Sequence, residues 1–280
     1  MASTPHARQV QKEFGQRLRG IRQRAGLTAR ALAAAADWHE SKCSRIENGH
    51  TTPSDQDIRV WARLCGAENE VDDLIATARG IEGMYVEWQR LTGTGLRRVQ
   101  ENALPLHERT RRFRIYEPGV VPGLLQTPDY ARALMGAIIA FRGIPDDTER
   151  AVDARMARQK VLHSGDRRFA VLMEESALRA RIGGPDVMAA QLGHLLVAAS
   201  FPRVSLGIIP GSADRSMWPI EGFWVFDRNR VLVELVTAEV TITQPREIAV
   251  YLRSFTALAE MAVYGKAARR CITEAIDALG

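Results

Sequence analysis

Residues 27–54 read LTARALAAAADWHESKCSRIENGHTTPS, and the order of caps, small residues and stops in this run decides the fold of the first part of the chain. Thr28 is a good N-cap for a short helix, Ala29 to Ala36, whose alanines let a neighbour approach closely. A turn at Ala36-Asp37-Trp38 leads into a further helix that stops at Asn48-Gly49, where glycine supplies a left-handed end. Two short helices across a turn of this length make a helix-turn-helix. Upstream, Val10, Phe14, Leu18 and Ile21 recur at helical spacing as far as the Ala25-Gly26 stop. Downstream, beyond the cap signal Thr52-Pro53-Ser54, Ile58, Trp61, Ala62 and Cys65 mark a fourth helix, and Val71, Leu74, Ile75 and Ala78 a fifth. The expectation is an all-α, five-helix domain over residues 8–80.

The third of these helices has two different faces. Cys43 and Ile46 are its plainly apolar residues and lie three apart, so they point inward; Ser41, Ser44, Arg45 and Asn48 form the opposite stripe. A stripe that small and polar fits a major groove. Arg45 suits guanine, Glu40 can accept from cytosine N4, and Ser41 is permissive. Thr28, Lys42 and Asn48 are better placed for phosphates. Asp37 and Glu40 are three apart and offer an alternative, a capping box that starts the helix earlier and takes Glu40 out of base reading.

Charge distribution points the same way. Residues 1–50 hold nine basic residues against four acidic ones, while 51–80 hold three against six. An arginine-rich segment backed by an acidic one is the electrostatic footprint expected of a phosphate-binding face. A second basic run, Arg97-Arg98 and Arg109-Arg111-Arg112-Arg114, carries six arginines against Glu101 and Glu108. Three readings stay open for it: supplementary DNA contacts, attraction of an acidic partner, or plain exposure.

The remaining residues, 81–280, read as a larger α+β domain. Gly83 to Gln100 is expected to be a connecting helix that pauses at Gly93-Thr94-Gly95. Helices are expected at Asp129 to Phe141, Asp147 to His163, Pro185 to Ser200, Glu247 to Tyr264 and Ala268 to Ala278. Strand-like runs stand at Phe169 to Met173, Val204 to Ile209, Gly222 to Phe226 and Val231 to Val236, the last two joined as a hairpin by Asp227-Arg228-Asn229-Arg230. Strands that bunch late among helices suggest a small antiparallel sheet. Trp218, Phe223 and Trp224 cluster around Pro219 and read either as a pocket or partner groove or as hairpin core.

Composition excludes several classes. The chain has 280 residues, 46% apolar and 25% charged, with a net charge of +5, which is too apolar and too weakly charged for whole-chain disorder. Its most apolar stretches, Ala133 to Phe141 and Leu195 to Phe201, are far too short to span a bilayer. MASTPHARQVQKEFG is polar where a secretory signal needs an apolar run, and Cys43, Cys65 and Cys271 form neither a disulfide framework nor a zinc motif. A cytoplasmic location is the expectation. No catalytic constellation stands out: Gly93-Thr94-Gly95 lacks a third glycine and a preceding strand, and no serine sits in a GxSxG elbow. His163, Glu174, Glu175 and His194 lack ligand spacing, so neither a metal nor a cofactor is expected.

The SxxSRIExG ending, here Ser41 to Gly49, resembles the recognition helix of the Cro/phage-repressor class, the xenobiotic-response-element family. That resemblance implies base reading by Glu40, Ser41 and Arg45 and places the family's helix-one arginine and recognition-helix glutamate on Arg22 and Glu47, a structural ion pair. It also implies a Ser or Thr as N-cap of the recognition helix, where this chain has His39. YEPGVVPGLLQTPDYARALM, Tyr116 to Met135, followed by RMARQKVL, LMEESALRARIGG and VMAAQLGHLL, resembles the C-terminal domain of actinobacterial regulators of the WhiJ type. The combined resemblance implies a sequence-specific DNA-binding transcriptional regulator, not an enzyme, whose C-terminal domain senses a ligand or binds a small partner protein. The alternative is an antitoxin-like protein that sequesters a small acidic partner encoded nearby and binds double-stranded DNA for autoregulation. One short recognition helix reads few base pairs, so a homodimer is expected, held together through residues 81–280.

Overall fold

The computed structural model describes residues 5–81 and 85–280. The chain divides into two compact units, Met1–Tyr85 with Thr241–Glu247 and Val86–Val240 with Ile248–Gly280. The short segment near residue 244 therefore leaves the second domain expected from sequence and returns to the first. Thr243 Oγ1 donates to the Ala76 carbonyl at 3.4 Å, and Arg246 Nε lies 3.7 Å from Asp73.

The first unit consists of α1 (Pro5–Arg24), α2 (Ala29–Ala35), α3 (Glu40–Glu47), α4 (Asp55–Leu64) and α5 (Val71–Ile81). Thr28 caps α2 by accepting from the Ala31 amide at 3.0 Å. Ser54 and Asp57 close a capping box on α4. Leu18, Leu32, Cys43, Ile46, Ile58 and Leu74 are fully buried and make one core from all five helices. Trp61 fills its centre and donates its indole N–H to the Leu18 carbonyl at 3.2 Å. Two glycines bring α1 onto the end of α3. A Cβ on Gly15 would come within 2.6 Å of the Glu47 carbonyl oxygen; Gly49, at φ +68°, would meet the Lys12 backbone at 2.7 Å.

In the second unit the elements are β1 (Tyr85–Glu87), α6 (Trp88–Thr92), α7 (Arg97–Arg109), β2 (Arg112–Glu117), α8 (Pro128–Arg142), α9 (Thr148–Gln159), β3 (Arg168–Glu174), α10 (Glu175–Arg179), α11 (Pro185–Ala198), β4 (Val204–Ile209), β5 (Phe223–Phe226), β6 (Arg230–Glu234), β7 (Ala238–Ile242), α12 (Pro245–Met261) and α13 (Gly265–Asp277). The sheet has seven strands in the order β1-β7-β6-β5-β2-β3-β4. The α+β class stands, but the sheet is mixed. β2 pairs with β3, and β3 with β4, in parallel, while β5 pairs antiparallel with both β2 and β6. Parallel neighbours need long crossovers, and α8 with α9 and α10 with α11 supply them.

The connecting helix expected from Gly83 to Gln100 is interrupted. Residues 82–84 lie outside the described residues, Tyr85–Glu87 pairs as an edge strand, and the chain turns at Gly95, φ +98°, before α7 begins. One face of the sheet carries Phe113, Ile115, Phe169, Val171 and Leu206 into a core with α8, α11 and α13. On the other face Phe223 packs against Tyr251 and Phe255 of α12, with ring centroids 5.0 and 6.5 Å away.

Candidate nucleic-acid interface

α3 is set by its caps and its buried side. Asp37 adopts φ +56°, so the chain turns before the helix, and His39 is the N-cap, its Nδ1 accepting from the Ser41 amide at 3.3 Å. The Asp37–Glu40 capping box considered from sequence does not form, and Glu40 is the exposed first residue of the helix. Cys43 and Ile46 anchor the inner side, and burial pushes the Cys43 thiol up to about 11. Ser41, Ser44, Arg45 and Asn48 all lie exposed on the opposite stripe.

The groups in and around this stripe are not equally available. Arg45 has no ion-pair partner among the described residues. Lys42 is occupied: its Nζ lies 2.6 Å from Asp57 Oδ1 and 4.3 Å above the Trp38 ring. Burial pushes the Asp57 carboxyl up, yet the Lys42 ammonium and the Ser54 amide and hydroxyl bring it below the ordinary carboxylate value. Asn48 ends the helix and donates to the Ser44 carbonyl at 2.9 Å, and the Ser41 hydroxyl lies 2.8 Å from His39 Nδ1. The Thr28 hydroxyl accepts from the α2 amide noted above. Of the six residues assigned to DNA, Arg45 and Glu40 thus present side chains without a local partner among the described residues.

Behind the stripe, Arg22 of α1 and Glu47 of α3 stand paired and buried. Arg22 Nε donates to Glu47 Oε1 at 2.6 Å and Nη2 to Oε2 at 2.9 Å, and Nη1 reaches the Leu27 carbonyl at 2.6 Å. The Glu47 hydrogen bond holds the Arg22 guanidinium above its ordinary value against the cost of burial. Gln16 donates to the Glu47 carbonyl at 3.2 Å.

In the second unit the aromatic trio separates. Phe223 is fully buried, Trp224 points to the opposite face and donates to Glu117 Oε1 at 2.7 Å, and Trp218 is 69% exposed. They do not line one groove, because adjacent residues of a strand face opposite ways. The four residues expected not to ligate a metal do not converge as a set either. Glu174 pairs with Arg215 at 2.6 Å, Glu175 with Arg179 at 2.7 Å, and His163 packs on Phe201. No three His, Cys, Asp or Glu side chains converge among the described residues.

A polar cluster that the sequence did not reveal lies between α7, α9, β2 and β5. Burial pushes the Glu117 carboxyl up to about 8. Arg155 donates to Gln100 at 3.1 Å and Gln126 at 2.6 Å, and burial lowers its guanidinium to about 10; Arg158 falls to about 9 for the same reason. His107, lowered to about 3 by burial and by Arg158, donates from Nδ1 to the Ala103 carbonyl at 2.8 Å. His107 Nε2 and Arg158 Nε have no partner among the described residues. Arg155 and Arg158 sit in RMARQKVL, which reads as an ordinary basic helix, so only the packing of α9 reveals them.

Residues 100–274, well over half of the chain, match the family described as Domain of unknown function (DUF5753). The chain belongs to the DUF5753 family. Residues 13–74 match a family described as Helix-turn-helix domain, which covers α2 and α3 with their supporting helices. A helix-turn-helix that presents its second helix is a DNA-binding module. The chain is therefore a DNA-binding regulator in outline. No curated protein matches it. Among solved structures it is similar to TrmBL2, described as an archaeal chromatin protein with a novel mode of DNA binding. The identity is 13% and the TM-score 0.34, over 75% of this chain and 70% of that one. No helix of the described residues is long and apolar enough to cross a membrane.

Proposed function

We propose that this DUF5753 chain is a sequence-specific transcriptional regulator of the xenobiotic-response-element and WhiJ type. The first unit reads an operator through Glu40, Ser41 and Arg45 in a major groove, and the second unit adjusts that binding in response to an effector. The observation that carries the reading is the contrast between Arg45 and Lys42: one cation on the exposed stripe is left without a partner, while its neighbour is tied to Asp57. A bidentate arginine on guanine is the commonest specific contact in the major groove. The polar cluster of Glu117, Arg155, Arg158 and His107 supports the effector role, since His107 Nε2 and Arg158 Nε lie there without a hydrogen-bond partner among the described residues and buried groups with displaced proton affinities are candidates for a binding site. The chain acts as a homodimer without enzymatic activity, its partner contact lying in the second unit, where Phe141 is 77% exposed.

Immunoprecipitating the protein from its native cells, with its DNA and bound proteins, tests the proposal. Recovery of a few discrete sites sharing a two-fold motif is the expected result. Uniform recovery of the genome, or recovery of protein without DNA, would contradict it.

A further inference from the structure

The parallel strands of the second unit begin at an arginine-rich edge that has no ion-paired carboxylate among the described residues. Arg112 of β2 stands opposite Arg168 of β3. Arg203 directly precedes Val204, the register partner of Phe169, so it stands beside Arg168 on the next strand. Phe113, Phe169 and Val204 are buried in the core, and side chains alternate along a strand. Arg112, Arg168 and Arg203 therefore share the opposite face, with Arg114, Ala170 and Ser205 in the second row behind them. Two small side chains in that row leave a hollow. These six residues line a cavity of about 290 Å³.

Several arginines elsewhere in this unit are paired: Arg97 with Glu101, Arg132 with Glu149, Arg179 with Glu175 and Arg215 with Glu174. None of the four basin arginines has a carboxylate within ion-pair distance among the described residues. Asp227 lies at the rim, but its Oδ1 is spent on the Arg111 and Arg112 backbone amides at 3.1 and 2.8 Å, and Arg114 reaches only its carbonyl, at 3.2 Å. Burial and then the neighbouring Arg112 and Arg228 lower the Arg114 guanidinium below its ordinary value, although Asp227 opposes them.

We infer that this basin is a second DNA-contacting surface, which grips the phosphodiester backbone without reading sequence. The inference rests on the reading of the chain as a DNA-binding regulator. Neighbouring strands are about 4.8 Å apart, so Arg112, Arg168 and Arg203 form a fence roughly 10 Å long. Guanidinium forks match phosphate oxygens in pairs. The lining offers arginines and a serine, which suit phosphate oxygens, and no asparagine or glutamine for an adenine edge. An acidic protein is the weaker occupant, because stable protein interfaces centre on buried apolar anchors. None of the large exposed apolar residues, Phe141, Val197, Trp218, Leu235, Val236, Val250 and Tyr264, lines the basin. A second contact on one chain also makes later binding intramolecular, which raises overall affinity without a new base contact.

The test uses the full chain, a mixed-sequence 30-base-pair duplex and fluorescence anisotropy across a salt series. Each phosphate contact contributes about 0.9 to the slope of log affinity against log salt. The triple variant Arg112→Ala, Arg168→Ala, Arg203→Ala is expected to flatten the slope by about 2 to 3, and the corresponding triple lysine variant to retain most of it. Should the triple alanine variant fail to fold, Arg168→Ala and Arg203→Ala are expected to lower the slope by about 1 each. Wild-type binding with an unchanged slope in the alanine variants would overturn the inference and leave the regulator reading standing. Wild type that binds no duplex would overturn both. Polyglutamate that binds the wild type but not the triple variant, while duplex binding is unaffected, would assign the basin to an acidic protein and overturn the inference.

Discussion

Arg22 and Glu47 are joined by two parallel hydrogen bonds, at 2.6 and 2.9 Å, in the interior of the first unit, and so tie α1 to the helix that carries Arg45. A buried pair of this kind contributes little net stability over an apolar replacement, but removing one member strands a charge. Arg22→Ala is expected to cost about 3–5 kcal/mol in urea unfolding of the full chain. The double variant Arg22→Met, Glu47→Leu is expected to cost much less than the sum of the single losses. Equal, additive losses would show that the pair acts as two independent contacts.

The Lys42–Asp57 pair, at 2.6 Å, makes Lys42 a tie between α3 and α4. Lys42→Ala is therefore expected to lower the unfolding free energy by about 0.5–1 kcal/mol and to change the salt slope of DNA binding by less than one full phosphate contact. A slope reduced by a full unit would mean that Lys42 leaves Asp57 when DNA arrives.

His107 is neutral in the fold, with its proton affinity lowered to about 3 from an ordinary 6.5, so the unfolded chain binds the extra proton between those values. Its contribution to stability is complete above pH 6.5 and is lost as pH falls toward 3. The wild type is expected to lose about 3–5 kcal/mol relative to His107→Phe across that window. Parallel pH profiles for the two proteins would contradict the burial of a neutral imidazole beside Phe113, Trp224 and Phe226.

Glu117 has the opposite sign. Its carboxyl is raised to about 8 from an ordinary 4.5, so the fold binds the extra proton and loses stability as pH rises through 8. Between pH 6.5 and 8.5 wild-type stability is expected to fall relative to Glu117→Gln, a comparison in which the His107 slope cancels, as read from urea midpoints. An anionic Glu117 at pH 6.5, seen by infrared difference spectroscopy against Glu117→Gln, would contradict this.

The first unit is legible in the sequence because its signals are local. Thr28 and Ser54 announce helix starts, Gly49 a stop, and the three-residue spacing of Cys43 and Ile46 an inward face. His39 is the exception, since its ring caps a helix only after Asp37 has turned the chain at positive φ. The second unit hides more. β2, RFRIYE, alternates outward arginines with inward Phe113 and Ile115, but its basic residues read as a charged run, and without it the parallel order of β2, β3 and β4 is invisible. Glu117 reaches Trp224 only because β2 pairs with β5, and Lys42 reaches Asp57 only because α3 packs near α4, so neither partnership is written in any local motif.

Whether the exposed stripe of α3 reads DNA through Arg45 is decided by selection from a randomised duplex pool with the full-length wild type and Arg45→Ala in parallel. The wild type is expected to enrich a two-fold motif containing a fixed guanine in each half-site. Arg45→Ala should lose that one preference at a cost of about 1–3 kcal/mol while keeping the rest of the motif. Enrichment of the same motif with the same guanine by both proteins would contradict it.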